Sequence, residues 1–279
     1  MKLLFIGDIV ARTGRDLVRR GVKSLVRHHA IDLVIANVEN AAGGAGITRD
    51  ILEEMLKAGV DVLTSGNHIW DKREVLEFID STPRLLRPAN YPAGTPGAGS
   101  YVWSRPDGTS VGVINAMGRV FLANIDDPFA IVTRHIELVR AAGARIVFVD
   151  FHAEATSEKV AFGWFLDGRV TAVVGTHTHV QTADERVLPG GTAYITDVGM
   201  TGAHDGVIGM ERSSVIARFT TGLPARFESA TGDPRLNAVV IEADPESGRA
   251  VSIERVSLSA DALAALDATA ASPSMVTTQ

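Results

Sequence analysis

Five short segments of this chain carry side chains suited to holding divalent cations: Gly7-Asp8, Glu39-Asn40, Asn67-His68, His152, and His177-x-His179. The chain has no cysteine, so a metal site must draw on imidazole, carboxylate and amide donors. Those donors favour borderline or harder first-row ions. Two such ions roughly 3.5–4 Å apart can clamp a phosphoryl group and activate a water between them. A pair of this kind needs a shared carboxylate, and Glu39 is the candidate bridge. Neutral imidazoles and amide oxygens would complete each shell without adding negative charge that repels phosphate. A spare histidine, His68, would protonate the departing oxygen.

Each of these residues alone has a plainer reading. Asp8 could cap a helix, Glu39-Asn40 could be loop polarity ahead of the Gly-rich AAGGAG, and His68 could open a helix. The alternation in His177-x-His179 sends both rings to one face if that segment is extended. Their placement joins them. Asp8 follows LLFIG, Glu39-Asn40 follow DLVIANV, Asn67-His68 follow VLTSG, His152 follows RIVFVDF, and His177 and His179 follow TAVVGT. Each apolar run reads as a strand, and in α/β sheets the carboxyl ends of the strands form the binding crevice.

The elements needed to hold those ends in place recur along the chain. Strands are expected at Lys2–Ile6, Asp32–Val38, Asp61–Thr64, Arg145–Phe151 and Val170–Val174, with further candidates at Thr192–Thr196 and Ser214–Phe219. Helices are expected over Arg15–His29, Ile51–Ala58, Lys72–Ile79 and Pro128–Ala142. Pro106-Asp107-Gly108 joins Tyr101–Trp103 to Ser110–Asn115 as a hairpin, and Asp244–Arg249 joins Asn237–Ala243 to Ala250–Ser257 as a second. Continuous apolar strands alternating with amphipathic helices indicate an α/β fold buried on both faces. A single domain is expected over 1–258, with 259–279 a frayed tail of small and polar residues ending ASPSMVTTQ.

Composition narrows the function classes. A net charge of −6 argues against a strongly basic nucleic-acid-binding surface, although bound cations could still attract a nucleotide. No run approaches the roughly 18 apolar residues of a membrane span. The opening MKLLFIGDIV is interrupted too early for a signal peptide. A soluble cytoplasmic protein is the expectation, with homo-oligomerisation left open.

The order of segments GD, VEN, GNH, FHAE and GTHTH resembles the calcineurin-like metallophosphoesterase superfamily. Two departures narrow the resemblance. The usual D-x-H is absent, because Ile9 and Val10 follow Asp8, and Glu39 with Asn40 replaces the usual bridging aspartate. These changes, together with MKLLFIGDIV, NAAGGAGIT, GNHIWD, FHAEATSEK and TDVGMTG, resemble the YmdB-like branch of 2′,3′-cyclic-nucleotide 2′-phosphodiesterases. The resemblance runs to about Arg212. It implies an αββα sandwich of two mixed sheets flanked by helices, and two divalent metal ions, iron or manganese. Asp8, Glu39, Asn40 and His179 would hold the first ion, and Glu39, Asn67, His152 and His177 the second. His68 would stay unligated at the phosphate, and Asn40 would fill the place of the absent histidine or contact phosphate alone. The implied reaction is attack by a metal-bridging hydroxide, with His68 as proton donor to the leaving ribose oxygen.

Other residues carry weaker signals. Asn40, His68 and His204 are candidates to line the substrate cleft. Glu154, two residues after His152, could support the ligands from behind or be merely polar, and Arg12 and Arg15 could meet phosphate or simply begin a helix. Gly43, Gly44 and Gly46 could let backbone approach a phosphate or simply make the loop flexible. His28, His29 and His135 read as surface residues of helices. Rival functions are a phosphomonoesterase or protein phosphatase on the same centre, and a regulator that binds a nucleotide without consuming it.

Overall fold

The computed structural model describes residues 1–270. The chain runs β1 (Lys2–Ile6), β2 (Asp8–Ile9), α1 (Ala11–His29), β3 (Leu33–Asn37), α2 (Arg49–Ala58) and β4 (Val62–Thr64), followed by 3₁₀ turns at Arg73–Glu77 and Ile79–Ser81. It continues with β5 (Ser100–Ser104), β6 (Ser110–Met117), α3 (Pro128–Ala141), β7 (Ile146–His152), α4 (Thr156–Leu166), β8 (Ala172–Thr176), β9 (Arg186–Val187) and β10 (Ala193–Ile195). The last elements are β11 (Met200–Ala203), α5 (Arg212–Thr221), β12 (Pro234–Ala243), β13 (Ala250–Ser259) and α6 (Ala260–Ala270).

The strands form two mixed sheets. In the first the order is β2-β11-β12-β1-β3-β4, with β13 also paired to β12. There β1, β3 and β4 run parallel, and β12 runs antiparallel to β1. In the second the order is β5-β6-β7-β8-β10-β9, parallel from β6 through β10, with antiparallel strands at both edges. Period-2 alternation decides what each strand face touches. On β1, Leu3 and Phe5 pack between the sheets with Leu33, Ile35, Phe148 and Val174. Leu4 and Ile6 point the other way, into a layer with Leu17, Val18 and Leu25 of α1 and Leu52 and Met55 of α2. Val147, Val149 and Phe151 of β7 face Val132 and Ile136 of α3 and Phe162 of α4. The fold is thus an αββα sandwich, as expected.

The inter-sheet faces change character along their length. Leu33 and Ile35 lead to Asn37 and then Glu39, Phe148 leads to Asp150 and His152, and Ala172 and Val174 lead to Thr176. Apolar side chains therefore fill the centre of the sandwich, and polar ones collect at the carboxyl rim on the same face. All of these polar side chains are buried.

Three expectations need correction. Lys72–Ile79 is a pair of 3₁₀ turns, 73–77 and 79–81, instead of an α-helix. Ser214–Phe219 is part of α5: the Glu211 side chain accepts from the Ser213 N–H at the start, and Gly222 ends the helix at φ 70°. Those cap signals outweigh the β-branched pair Val215-Ile216. The chain beyond Leu258 is not a frayed tail throughout. Strand β13 runs to Ser259, and α6 lays Leu263 (3% exposed) against Gly21 of α1, where a Cβ would strike the leucine side chain. Residues 271–279, the rest of that expected tail, lie outside the described residues. Helix α4 and strand β11 had no counterpart in the sequence reading. No described helix is long and apolar enough to cross a membrane.

Candidate metal centre

The rim gathers side chains from both sheets. Glu39, His152 and His177 each bring a donor atom within 4.8 Å of the others, an arrangement that could hold a metal ion. His152 Nε2 lies 3.2 Å from Glu39 Oε1, 3.0 Å from Asn67 Oδ1 and 3.0 Å from His177 Nδ1. Asn40 Nδ2 lies 3.2 Å from Glu39 Oε1 and 3.2 Å from His179 Nε2, which brings the last histidine into the group. Asp8 completes it: Oδ2 accepts from the His177 N–H at 3.2 Å, while Oδ1 is buried with no hydrogen-bond partner. A buried, unpartnered carboxylate oxygen is costly unless something cationic occupies its free side. All seven expected ligands are therefore in one place, fed by the ends of β1, β3, β4, β7 and β8.

Hydrogen bonds at the back of each ring select which nitrogen faces the centre. Thr176 Oγ1 donates to Asp150 Oδ1 at 2.7 Å, so its oxygen accepts from His152 Nδ1 at 2.9 Å and leaves Nε2 as the nitrogen that faces the centre. His177 Nε2 lies 3.0 Å from Glu154 Oε2, which leaves Nδ1 free. His179 Nδ1 donates to the Ile208 carbonyl at 2.9 Å, leaving Nε2. Three imidazoles, from the end of β7 and the turn after β8, thus each turn one ring nitrogen toward the centre. Asp150 is itself held by Thr64, Thr176 and the Asn37 amide, and burial pushes its carboxyl up to about 7.

Electrostatics follow from the burial. Desolvation opposes charge on Glu39, yet the imidazole of His152 and the neighbouring His68 outweigh it and hold this carboxyl down at about 2. Burial also opposes charge on His152, but Glu39 and Asp8 beside it lift the ring to about 9. His177 is pushed down to about 3 by burial and by the charge of His152. Burial raises Asp8 above the usual carboxylate range, against the pull of His179 and His152. A protonated His152 therefore occupies, electrostatically, the position a metal cation would take.

Gly66 of the GNH segment is essential to this packing. A Cβ there would lie well under 3.0 Å from the His152 ring and from Glu39 Oε2. His68, one residue past Asn67, stands apart from the three-donor group. Its backbone N–H donates to Glu39 Oε2 at 3.0 Å, while its ring Nδ1 bonds Asp71 Oδ2 at 2.8 Å. The side chain is 39% exposed, which leaves Nε2 open to a ligand. His204 lines a cleft of about 470 Å³ that also includes His179, Met200, Ile208 and Arg235.

The remaining candidates divide. Glu154 lies against His177, with Oε2 3.0 Å from Nε2 of that ring. Arg15 points away from the centre: it pairs with Glu54 at 3.0 Å and donates to the Ala41 carbonyl, fixing the loop after Asn40. Arg12 is exposed and pairs weakly with Asp16. Gly43, Gly44 and Gly46 all adopt positive φ and shape that loop. His28 is exposed at the end of α1 and His29 only partly so, whereas His135 is half-buried against Ser100. Sequence reasoning missed Asp71, Asp150 and Lys159. Asp71 carries a local signal, three residues after His68 in GNHIWD. Asp150 is the one charge inside the apolar run IVFVDF, and such a residue asks for buried partners.

The chain is similar to known proteins over nearly its whole length. The chain is 52% identical over 264 residues to the 2′,3′-cyclic-nucleotide 2′-phosphodiesterase of Bacillus subtilis (strain 168), covering 94% of this chain and 98% of that protein. A solved structure described as a novel phosphatase from Mycoplasma pneumoniae superposes with a TM-score of 0.87 at 34% identity, covering 93% of each chain. A hypothetical protein from Thermus thermophilus superposes with a TM-score of 0.86 at 44% identity, covering 93% of this chain and 99% of that one. The profile of the YmdB-like proteins matches residues 4–256. With nearly its whole length matched, the chain belongs to the YmdB-like protein family of the metallophosphoesterase superfamily.

Proposed function

We propose that this protein is a metal-dependent phosphodiesterase that opens 2′,3′-cyclic nucleotides to 3′-nucleotides with two divalent ions, iron or manganese. The observation that carries the reading is the convergence of Glu39, His152 and His177 at the rim shared by both sheets, with the unpartnered Asp8 oxygen beside them. The activity named for the Bacillus subtilis relative supports the choice of a cyclic phosphodiester. Asp8, Glu39, Asn40 and His179 would hold one ion, and Glu39, Asn67, His152 and His177 the other. Bound there, the ions supply Lewis acidity and a nucleophile at neutral pH.

The protein's own groups do the rest. His68, its Nδ1 held by Asp71, presents Nε2 to the leaving oxygen and delivers a proton there. The Asp71 carboxylate holds Nδ1 and so orients the ring with Nε2 outward. Hydrolysis breaks the bond from phosphorus to O2′, puts the OH of water on phosphorus and a proton from His68 on O2′, and the proton that the water gives up to solvent restores His68. Asn40 faces the centre through its amide nitrogen, an orientation that suits donation to an equatorial phosphate oxygen. Rotated by half a turn, the same amide would offer its oxygen as a ligand. His204, in the cleft next to His179, would contact the nucleoside side of the substrate.

The test is to purify the protein without chelator, count metal per protomer, and identify the product from 2′,3′-cyclic AMP. Two metals and a 3′-nucleotide support the reading. Two metals without turnover move it to another phosphoester, and comparing bis-p-nitrophenyl phosphate with p-nitrophenyl phosphate then separates diesterase from monoesterase or protein phosphatase. Binding without consumption points to a nucleotide-binding regulator. No metal and no activity after reconstitution with iron or manganese sinks the ligand assignment.

A further inference from the structure

Behind the turn that carries His177 and His179 lies a buried lysine. Lys159, on α4, is 2% exposed. Its ammonium donates to Asp197 Oδ2 at 2.6 Å and to the Thr176 carbonyl at 2.7 Å. Asp197 is wholly buried, and the same Oδ2 accepts from the N–H of Thr178 at 3.1 Å and from its hydroxyl at 2.8 Å. Its Oδ1 accepts from the Gly199 N–H at 2.8 Å. Thr178 is the residue between the two histidines, so one carboxylate holds the middle of the turn and one ammonium holds both that carboxylate and the last carbonyl of β8.

The turn needs such a hold. His177 and His179 both have left-handed backbone, with φ of 99° and 66°. Residues other than glycine adopt that region only when their surroundings enforce it. Gly175, the first residue of the GTHTH segment, makes room for the hold. A Cβ at that position would strike the Thr196 carbonyl oxygen and lie 3.2 Å from Lys159 Nζ. A lysine is among the residues least often found in a core, and an apolar side chain of similar length would fill the same space with no charge to desolvate. What the lysine adds is a cation with several donors at one point.

We propose that Lys159 is a positioning residue: by clamping Asp197 to the Thr176 carbonyl it sets the strained turn that delivers His177 and His179 to the metal centre. The inference rests on the reading of those two histidines as ligands. Hydrogen exchange on the unaltered, metal-free protein comes first. The Thr178 amide should be protected although its turn is only half-buried, and free exchange there overturns the clamp without any variant.

The Lys159→Met/Asp197→Asn double variant then removes both charges together, sparing the core an unpaired ion. It should exchange faster over 176–180 than the unaltered protein, while β12 and β13 exchange at the original rate. Metal should leave to a chelator about tenfold faster or more, the scale of a lost supporting contact. The value of kcat should fall by about tenfold with KM held within about threefold, as for lost geometry at the reacting atoms. Unchanged exchange at 176–180 together with unchanged metal dissociation would overturn the proposal. If the unaltered protein takes up no metal, the functional reading fails on its own, and the exchange data still decide whether the clamp exists.

Discussion

Replacing Gly66 by alanine tests the centre with a single carbon. Gly66 has no positive φ, so alanine meets no backbone penalty there. The damage must come from the added Cβ, which would stand well under 3.0 Å from the His152 ring and from Glu39 Oε2, where ordinary contact begins at 3.4 Å. Neither neighbour can swing aside. His152 and Glu39 are both fully buried, and His152 is tethered through Nδ1 to Thr176. One or both must therefore shift by roughly 1 Å, against a tolerance of about 0.2 Å for metal–ligand bonds. Overpacking should cost the fold about 1–3 kcal/mol. Metal affinity should fall by about 100-fold or more, equivalent to about 2.8 kcal/mol. Elemental analysis after equilibration with limiting manganese reads the affinity, and urea unfolding of the metal-free protein reads the stability. If Gly66→Ala keeps its full metal content and turnover within about threefold of the unaltered protein, these two side chains do not hold the metal, and the assignment fails.

Three further outcomes follow from the same geometry. In the metal-free protein His152 titrates at about 9, raised from 6.5 by Glu39 and Asp8 against the effect of burial. Its contribution to stability is complete below pH 6.5 and fades as pH rises to about 9. Metal loading near pH 7.5 should displace about one proton from this ring, and calorimetry in two buffers of different ionisation enthalpy would expose a missing proton. His68→Ala should keep its metal and lose about 100-fold or more in kcat if the ring has the proposed role of proton donor that does not ligate; metal loss on elemental analysis would contradict the role. Leu263→Ala should lower the unfolding free energy by about 2–3 kcal/mol in urea titrations, because α6 docks through that side chain.

The expected ligands could be read from sequence because each sits at the end of an uninterrupted apolar run. A sheet buried on both faces writes its strands that way, and KLLFI, LVIAN and IVFVDFH stop where the polar rim begins. What supports those ligands was not legible. Lys159 and Asp197 are 38 residues apart, and nothing in either segment announces the other. Helix α4 mixes Lys159, Phe162, Trp164 and Phe165 without a clean apolar stripe, since it buries a charge on its inner face and exposes aromatics on its outer one. Helix α5 reads as a strand because Val215-Ile216 sit between small polar residues and only its caps mark it as helical. The small side chains of α6 hid a helix that packs Leu263 opposite Gly21, with Ala260 and Leu266 against the same core.

The proposed ligand set draws on both sheets: Asp8, Glu39, Asn40 and Asn67 lie at strand ends of one, while His152, His177 and His179 come from the other. The spacing between the sheets is therefore one of the dimensions of the centre, and the apolar filling of the sandwich sets it. Phe5 and Phe148, whose ring centroids lie 5.2 Å apart, act as a spacer bar in the middle of the molecule. A thinner pair would draw the two halves of the centre together, and a thicker pair would part them, without either residue touching a donor atom. The width of the core is in this sense a setting of the site, and drift in core volume would be read out first as drift in which cation the rim prefers.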